Sequence, residues 1–245
     1  MFNLRKIKIA SDSDPWPFRN NVDKKEGEEL NKDLNLRKFI KSAIVDMRKN
    51  DVNVSFVDKE FIGQEDSKSM GYFSATPDEK TDLNFIIAVD NSILDWTRIF
   101  VHEFCHFQQW KVKSKAWLNS FVKIDDEFID ADTLFDYWIK GKSYSKEEVT
   151  NFVRRTQACE RECEKMAARL IIQNSLPLDV KEYVQTANIY LYFYVYAMMR
   201  RLWYSGEAPY SVVEALRLVP DDHILDDHRD IPKELVSIFD KLYLK

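Results

Sequence analysis

Two histidines and a glutamate lie close together near the middle of the chain, in the run His102-Glu-Phe-Cys-His106. Residues four apart on an α-helix share one face, so both imidazoles can reach a single metal ion. Glu103 lies about 100° further round the helix, where its carboxylate can accept a proton from a water molecule at that ion without being a ligand. These residue types at this spacing predict a zinc site with His102 and His106 as ligands and Glu103 as general base.

A catalytic zinc ion needs a third protein ligand and one open position. Candidates lie in the later run Ala158-Cys-Glu-Arg-Glu-Cys-Glu164. At helical spacing, Glu160 falls within the apolar face, Glu162 points away from it, and Glu164 follows one turn after Glu160. Because a carboxylate in an apolar face is costly unless it meets a cation, we expect Glu160 to be the third ligand. Glu164 is the expected acceptor for the Nδ1–H of a ligand histidine.

Two simpler interpretations of the same residues remain open. The two glutamates could form ion pairs with basic neighbours on a solvated helix, namely Arg154, Arg161 or Lys165. The histidines could be hydrogen-bonded core residues that hold no metal, since buried polar groups need partners of some kind.

The three cysteines offer another alternative. Cys159 and Cys163 share a helix face and could join the histidines in a closed, structural zinc site. Such a site would make Glu103 unnecessary and would leave Glu160 unexplained. Small buried thiols that pack two helices together are also more common. We therefore expect Cys105, Cys159 and Cys163 to be packing residues.

Hydrolysis of an amide also needs a donor for the developing oxyanion, commonly a tyrosine, histidine or arginine. The sequence after the carboxylates contains several such side chains and does not choose among them. They are Tyr190, Tyr194, Arg200, His223 and His228.

The combined pattern of His102-Glu-x-x-His106 and Glu160-x-x-x-Glu164 resembles the gluzincin group of zinc metallopeptidases. The longer runs His-Glu-Phe-Cys-His-Phe-Gln-Gln-Trp and Glu-Arg-Glu-Cys-Glu are also similar to small uncharacterised metallopeptidase-like proteins of bacteriophages. The resemblance covers about residues 83–170. It implies two histidine ligands, a glutamate ligand, a glutamate base and a substrate strand lying along an edge strand. Glu164 stands where gluzincins usually have aspartate.

Helical and strand patterns surround the motif. Ser92 predicts the N-cap of the motif helix, and Ser145 with Glu148 predicts a capping box. Residues 11–35 read as a loose connection, and residues 115–143 as broken helices that could form a flap. The periodicity predicts helices over about 36–49, 93–113, 145–174, 180–204 and 232–244, and strands over 52–56, 72–75 and 83–89.

These elements predict an α+β, zincin-like fold in which a small sheet and the active-site helix pack against a mainly helical C-terminal half. We expect one domain over residues 1–245, with a first lobe at about 36–113 and a helical lobe at about 145–245. The predicted function is zinc-dependent hydrolysis of peptide or amide bonds, with one Zn²⁺ per chain and a protein or peptide substrate. The alternative is a non-catalytic interaction protein in which zinc only stabilises the fold.

Composition excludes several other classes. The net charge of −5 argues against a broad nucleic-acid surface, and no apolar run is long enough to predict a membrane span. Residues 1–10 lack the apolar segment of a signal peptide. Three cysteines cannot all pair within the chain, which favours a reducing compartment. We therefore expect a cytoplasmic protein, which includes the case of a viral protein in a host cell.

Overall fold

The computed structural model describes residues 33–63, 69–78, 82–204 and 206–244. Residues 1–10, for which no signal peptide is predicted, lie outside these ranges. Of the loose connection predicted for residues 11–35, only residues 33–35 lie inside them. The fold is α+β with small sheets. The helices are α1 Leu34–Lys49, α2 Ile93–Lys111, α3 Lys115–Asn119, α4 Ala131–Ile139, α5 Lys146–Gln173, α6 Val180–Arg200, α7 Val213–Leu216 and α8 Lys233–Tyr243. The strands are β1 Asn53–Val57, β2 Gly71–Ser74, β3 Asn84–Ala88, β4 Phe121–Ile124 and β5 Glu127–Asp130.

The chain divides into two compact units. The first comprises Met1–Val112 and Arg169–Leu178, and the second comprises Lys113–Ala168 and Asp179–Lys245. Helix α5 therefore contributes residues to both. The proposed division into lobes at about 36–113 and 145–245 stays a prediction.

A three-stranded sheet organises the first unit. Strand β3 lies in the centre, parallel to β1 and antiparallel to β2, so that β2 is an edge strand of the sheet formed by the described residues. A central strand has a neighbour on each side, which suits the nearly continuous apolar sequence of β3. Phe85 and Ile87 of this strand are fully buried. The motif helix α2 follows β3 directly and contacts both β3 and β2.

Phe100 of α2 is at the centre of the first unit's core. Its ring stacks on Phe56 of β1 and meets the edges of Phe85 on β3 and Phe39 on α1. Buried aromatic pairs of this kind contribute about 0.5–1.5 kcal/mol each beyond the burial of their area. The sheet, α1 and α2 thus pack together at Phe100, two residues before the His-Glu-x-x-His motif.

The second unit corrects the expectation of broken helices over residues 115–143. Between the short helices α3 and α4 the chain forms a hairpin of β4 and β5, in which Ile124 pairs with Glu127. The two turn residues, Asp125 and Asp126, both have positive φ, at 48° and 68°. Positive φ at both positions is the geometry of a type I′ turn, in which the usual sequence is Asn-Gly or Asp-Gly. The sequence Asp-Asp lacks that signal.

Helix α6 supplies much of the second unit's core. The tyrosines that alternate along residues 190–196 lie on this helix, as the surrounding helix-forming residues predict. It ends at Arg200 rather than at the predicted residue 204, because Arg201 adopts a left-handed conformation with φ 51°. Phe193 of α6 meets Phe239 of α8 at 5.3 Å between ring centroids. Among the described residues, no helix combines the length and apolar character needed to cross a membrane.

Candidate functional site

The His-Glu-x-x-His motif lies in the middle of α2, whose first turn is capped as predicted. The Ser92 hydroxyl accepts a hydrogen bond from the backbone N–H of Asp95. The side chains of His102, Glu103 and His106 are all half-buried. Helix α2, which packs against the sheet through the residues just before the motif, therefore holds the three motif side chains.

The two motif histidines face each other through the same ring atom. The Nε2 atoms of His102 and His106 lie 3.1 Å apart, with the rings nearly perpendicular at 82°. Two nitrogens bound at about 2.0–2.1 Å to one tetrahedral zinc ion lie roughly 3.3 Å apart. The observed spacing is close to that value, so the histidine pair fits a zinc ion.

Glu103 links the motif helix to the edge of the sheet. Its Oε2 accepts a hydrogen bond of 2.9 Å from the backbone N–H of Phe73 on β2. The close approach of strand and helix depends on Gly71, since a Cβ atom there would lie 2.6 Å from Ile99 Cγ2 of α2. The rings of Phe107 and Trp110 then pack edge-on against Phe73. This packing fixes the direction of the Glu103 carboxylate.

The second unit carries the predicted carboxylates on α5. Glu160 is half-buried, and Glu164 is buried with 6% exposure. The Tyr183 hydroxyl of α6 donates a hydrogen bond to Glu164 Oε2. Glu162, predicted to point into solvent, is half-buried and accepts a hydrogen bond from Ser114 Oγ. Glu160 and Glu164 lie one turn apart and therefore share a helix face.

One of the basic neighbours on α5 has a carboxylate partner in the loop that precedes α8. Lys165 pairs with Asp226. Arg161 is half-buried, which lowers its pKa, while the charges of Asp227 and Asp226 act in the opposite direction. Arg154 is exposed. Of these basic neighbours, Lys165 has its ion pair with Asp226, and pairing of Glu160 and Glu164 with basic residues of α5 stays an alternative prediction.

Glu160 belongs to an acidic and tyrosine-rich neighbourhood within the second unit. The hydroxyls of Tyr190 and Tyr194 lie 2.8 Å apart. Burial raises the pKa of both tyrosines well above the usual value, and the negative charge of Glu160 adds to each rise. Asp132, at the start of α4, is exposed as a whole residue, although protein atoms crowd its carboxyl. Partial dehydration by the surrounding protein, together with the charges of Asp130 and Glu160, raises its pKa to about 7.

The other oxyanion-donor candidates already have carboxylate or amide partners. Arg200 binds both oxygens of Asp240. His223 pairs through Nδ1 with Asp222 at 2.7 Å.

His228, the last of these candidates, is fully buried, and its Nε2 lies 3.0 Å from Asn188 Oδ1. The negative charge of Glu160 acts on Tyr190 and Tyr194. The oxyanion donor stays a prediction among all five candidates.

The three cysteines are buried and none of them forms a disulfide, as the sequence predicts. Cys105 and Cys163 have 0% exposure and Cys159 has 6%. Complete burial suits the packing role expected for them. Their exclusion from the ligand set stays a prediction.

Sequence reasoning missed four residues that contact or surround the predicted ones. Gln109 lies 2.9 Å from His106 Nδ1, and its position one turn after the motif is the signal that could have identified it. Phe73, Tyr183 and Asp132 come from segments that are distant in sequence from their partners. The hydrogen bond to Glu103 comes from the backbone N–H of Phe73. Because nearly every residue type has this group, the sequence at position 73 gives no signal for the bond.

The first unit brings together His102, Glu103 and His106, and the second carries Glu160 and Glu164 on one helix face. Each unit therefore carries its share of the residues that the sequence predicts for the site. No protein-family model, curated protein or solved structure matches the chain.

Proposed function

We propose that this protein is a zinc-dependent hydrolase of peptide or amide bonds, with a zincin-like fold. His102, His106 and Glu160 would hold one Zn²⁺, and Glu164 would support the ligand set through a hydrogen bond. The observation that carries the proposal is the pair of Nε2 atoms that lie 3.1 Å apart on two half-buried histidines of one helix. The motif residues resemble those of gluzincins, and this resemblance supports the same ligand set.

The local charge of the second unit supports Glu160 as a ligand. Asp130, Asp132 and Glu160 lie near enough for the charges of Asp130 and Glu160 to add to the rise that dehydration causes in the pKa of Asp132. A divalent cation at Glu160 would offset this charge, and carboxylates in partly buried surroundings are usually paired or bound to metal.

When bound, zinc would polarise a substrate carbonyl and make a water molecule more acidic. Glu103 would accept the proton of the attacking water and pass it to the leaving amine. The hydrogen bond from Phe73 N–H orients the carboxylate for this role. Tyr190 and Tyr194 are the proposed source of a donor to the oxyanion.

The proposed substrate is a protein or peptide that adds to the edge strand β2. The proposed compartment is the cytoplasm, since three buried cysteines outside any disulfide suit a reducing environment.

A second function, a non-catalytic protein stabilised by zinc, is favoured by one observation. Glu103 accepts a hydrogen bond from the backbone N–H of an edge strand. This bond joins helix and sheet, and a non-catalytic protein would benefit from it as much as an enzyme. In that case the glutamate contributes through its hydrogen bond and not through its basicity.

The substitution Glu103→Gln separates the two functions. An amide oxygen can still accept from Phe73 N–H, whereas the base is lost. We expect the variant to keep its fold and its zinc while cleavage of a quenched-fluorescence peptide library falls by roughly 10²–10⁴-fold. Glu147→Gln, which makes the same change on an exposed residue of α5, should cleave like the wild type.

Cleavage should also stop when a chelator removes the metal. Chelator-sensitive cleavage that persists undiminished in Glu103→Gln would refute Glu103 as the base. A complete lack of cleavage by the zinc-loaded wild type across the library would favour the non-catalytic function.

A further inference from the structure

Gln109 is a fully buried amide with a specific partner in the motif. It lies on α2 three residues after His106 and has 0% exposure. Its Oε1 is 2.9 Å from His106 Nδ1. A buried amide left without hydrogen bonds costs about 1–3 kcal/mol, and the contact with His106 has the length of an ordinary hydrogen bond.

The chemistry of an amide oxygen determines the protonation of the ring. The oxygen has no proton to donate, so His106 Nδ1 must carry the proton of this hydrogen bond. In a neutral imidazole the other nitrogen, Nε2, then keeps its lone pair. That nitrogen is the one that faces His102 Nε2 at 3.1 Å.

We propose that Gln109 is a positioning residue of the metal site, which holds His106 in the Nδ1–H tautomer and presents Nε2 as a ligand before metal arrives. The inference rests on the proposed function for its use of His106 as a zinc ligand. His102, His106 and Gln109 lie on one helix face at spacings of four and three residues. The motif helix therefore supplies both ligands and the orienting acceptor of the second one.

The acceptor is neutral, which distinguishes it from the carboxylates that often orient ligand histidines. An amide fixes the tautomer and the ring direction without adding negative charge next to the histidine pair. The sequence pattern of this arrangement is His-Glu-x-x-His-x-x-Gln, with Gln109 as its last residue.

Replacement of Gln109 by methionine tests the proposal, because Met has similar length and no strong acceptor. In the metal-free protein, long-range ¹H–¹⁵N spectra of the histidine ring should show the Nδ1–H form of His106 in the wild type. In Gln109→Met the Nε2–H form should appear in its place or beside it. Zinc affinity, measured by competition with a chromophoric chelator, should fall by about 10–100-fold.

Gln108→Met is the matched control. Gln108 is the neighbouring residue on the same helix, and its amide donates to Asp46 Oδ2 at 3.0 Å, away from His106. The control should leave both the tautomer and the zinc affinity unchanged. If Gln109→Met does not fold, Gln109→Glu retains the length and the acceptor, and should keep the Nδ1–H form and bind zinc at least as tightly as the wild type.

Two results would overturn the inference. One is a Gln109→Met protein with an unchanged His106 tautomer and unchanged zinc affinity. The other is an Nε2–H form of His106 in Gln109→Glu. The tautomer measurement uses no metal, so it decides the role of Gln109 separately from the proposed function. A wild type that binds no zinc would refute the proposed function, while a tautomer change in Gln109→Met would still support the contact.

Discussion

Mild acid should destabilise the second unit through His228. This histidine is fully buried, with Nε2 3.0 Å from Asn188 Oδ1 and its ring 4.8 Å from the Tyr192 ring centroid. In the part of the chain that the structure describes, its Nδ1 is buried without a hydrogen-bond partner. Burial, aided by the positive charge of Arg161, lowers the pKa of His228 to about 3.

The direction of the effect follows from the two pKa values. The folded-state pKa lies below the unfolded value of about 6.5, so the unfolded chain takes up the proton first as the pH falls. The stabilising contribution of neutral His228 is therefore complete above pH 6.5 and is lost progressively between about pH 6.5 and pH 3. At pH 5 the loss is about 1.5 pH units times 1.36 kcal/mol, or roughly 2 kcal/mol.

Urea unfolding of wild type and His228→Gln at pH 7 and pH 5, both with a chelator present, measures this loss. Glutamine can still donate to Asn188 and does not titrate. The free energy of unfolding of the wild type minus that of the variant should decrease by about 2 kcal/mol between the two pH values. His223→Gln is the matched control, because the His223 side chain is 62% exposed and pairs with Asp222 at the surface.

The result that would refute this reasoning is a difference between wild type and His228→Gln that stays constant from pH 7 to pH 5. It would mean that His228 is protonated as readily in the folded protein as in the unfolded chain. An equal pH effect of His223→Gln would instead assign the acid sensitivity to histidine content in general and not to burial.

Two further predictions concern packing. Gly71→Ala should lower the free energy of unfolding by about 1–3 kcal/mol, because the new Cβ would lie 2.6 Å from Ile99 Cγ2; an unchanged value in urea unfolding would show that the isoleucine moves aside without cost. A variant with Cys105, Cys159 and Cys163 all replaced by serine should lose stability yet retain zinc in elemental analysis, and zinc loss with an intact circular dichroism spectrum would favour a structural cysteine site.

Strong local periodicity explains which elements were predictable. The three strands of the first sheet and helices α1, α2, α5 and α8 begin and end within about two residues of the expected positions. The Ser92 cap and the capping box of Ser145 and Glu148 are both confirmed. Each of these features depends on residues within one or two helical turns, or on alternation along one strand. The general α+β class follows from the same elements.

Long-range contacts explain what sequence reasoning missed. The bond from Phe73 to Glu103 joins residues 30 positions apart, and Tyr183 meets Glu164 across 19 positions. Such pairs depend on how strand and helix pack, and no local pattern encodes them. The β4–β5 hairpin was missed for a different reason, since its strands are four residues each and its turn lacks glycine.

The zinc content of the purified protein tests the central proposal most directly. Elemental analysis should find about one zinc ion per chain in the wild type and in His223→Ala, and depleted zinc in His102→Ala and Glu160→Ala. Full zinc in Glu160→Ala alone would exclude Glu160 and point to Glu164 or a cysteine as the third ligand. A wild type without zinc after reconstitution, or a His102→Ala variant with full zinc, would contradict the proposed metal site.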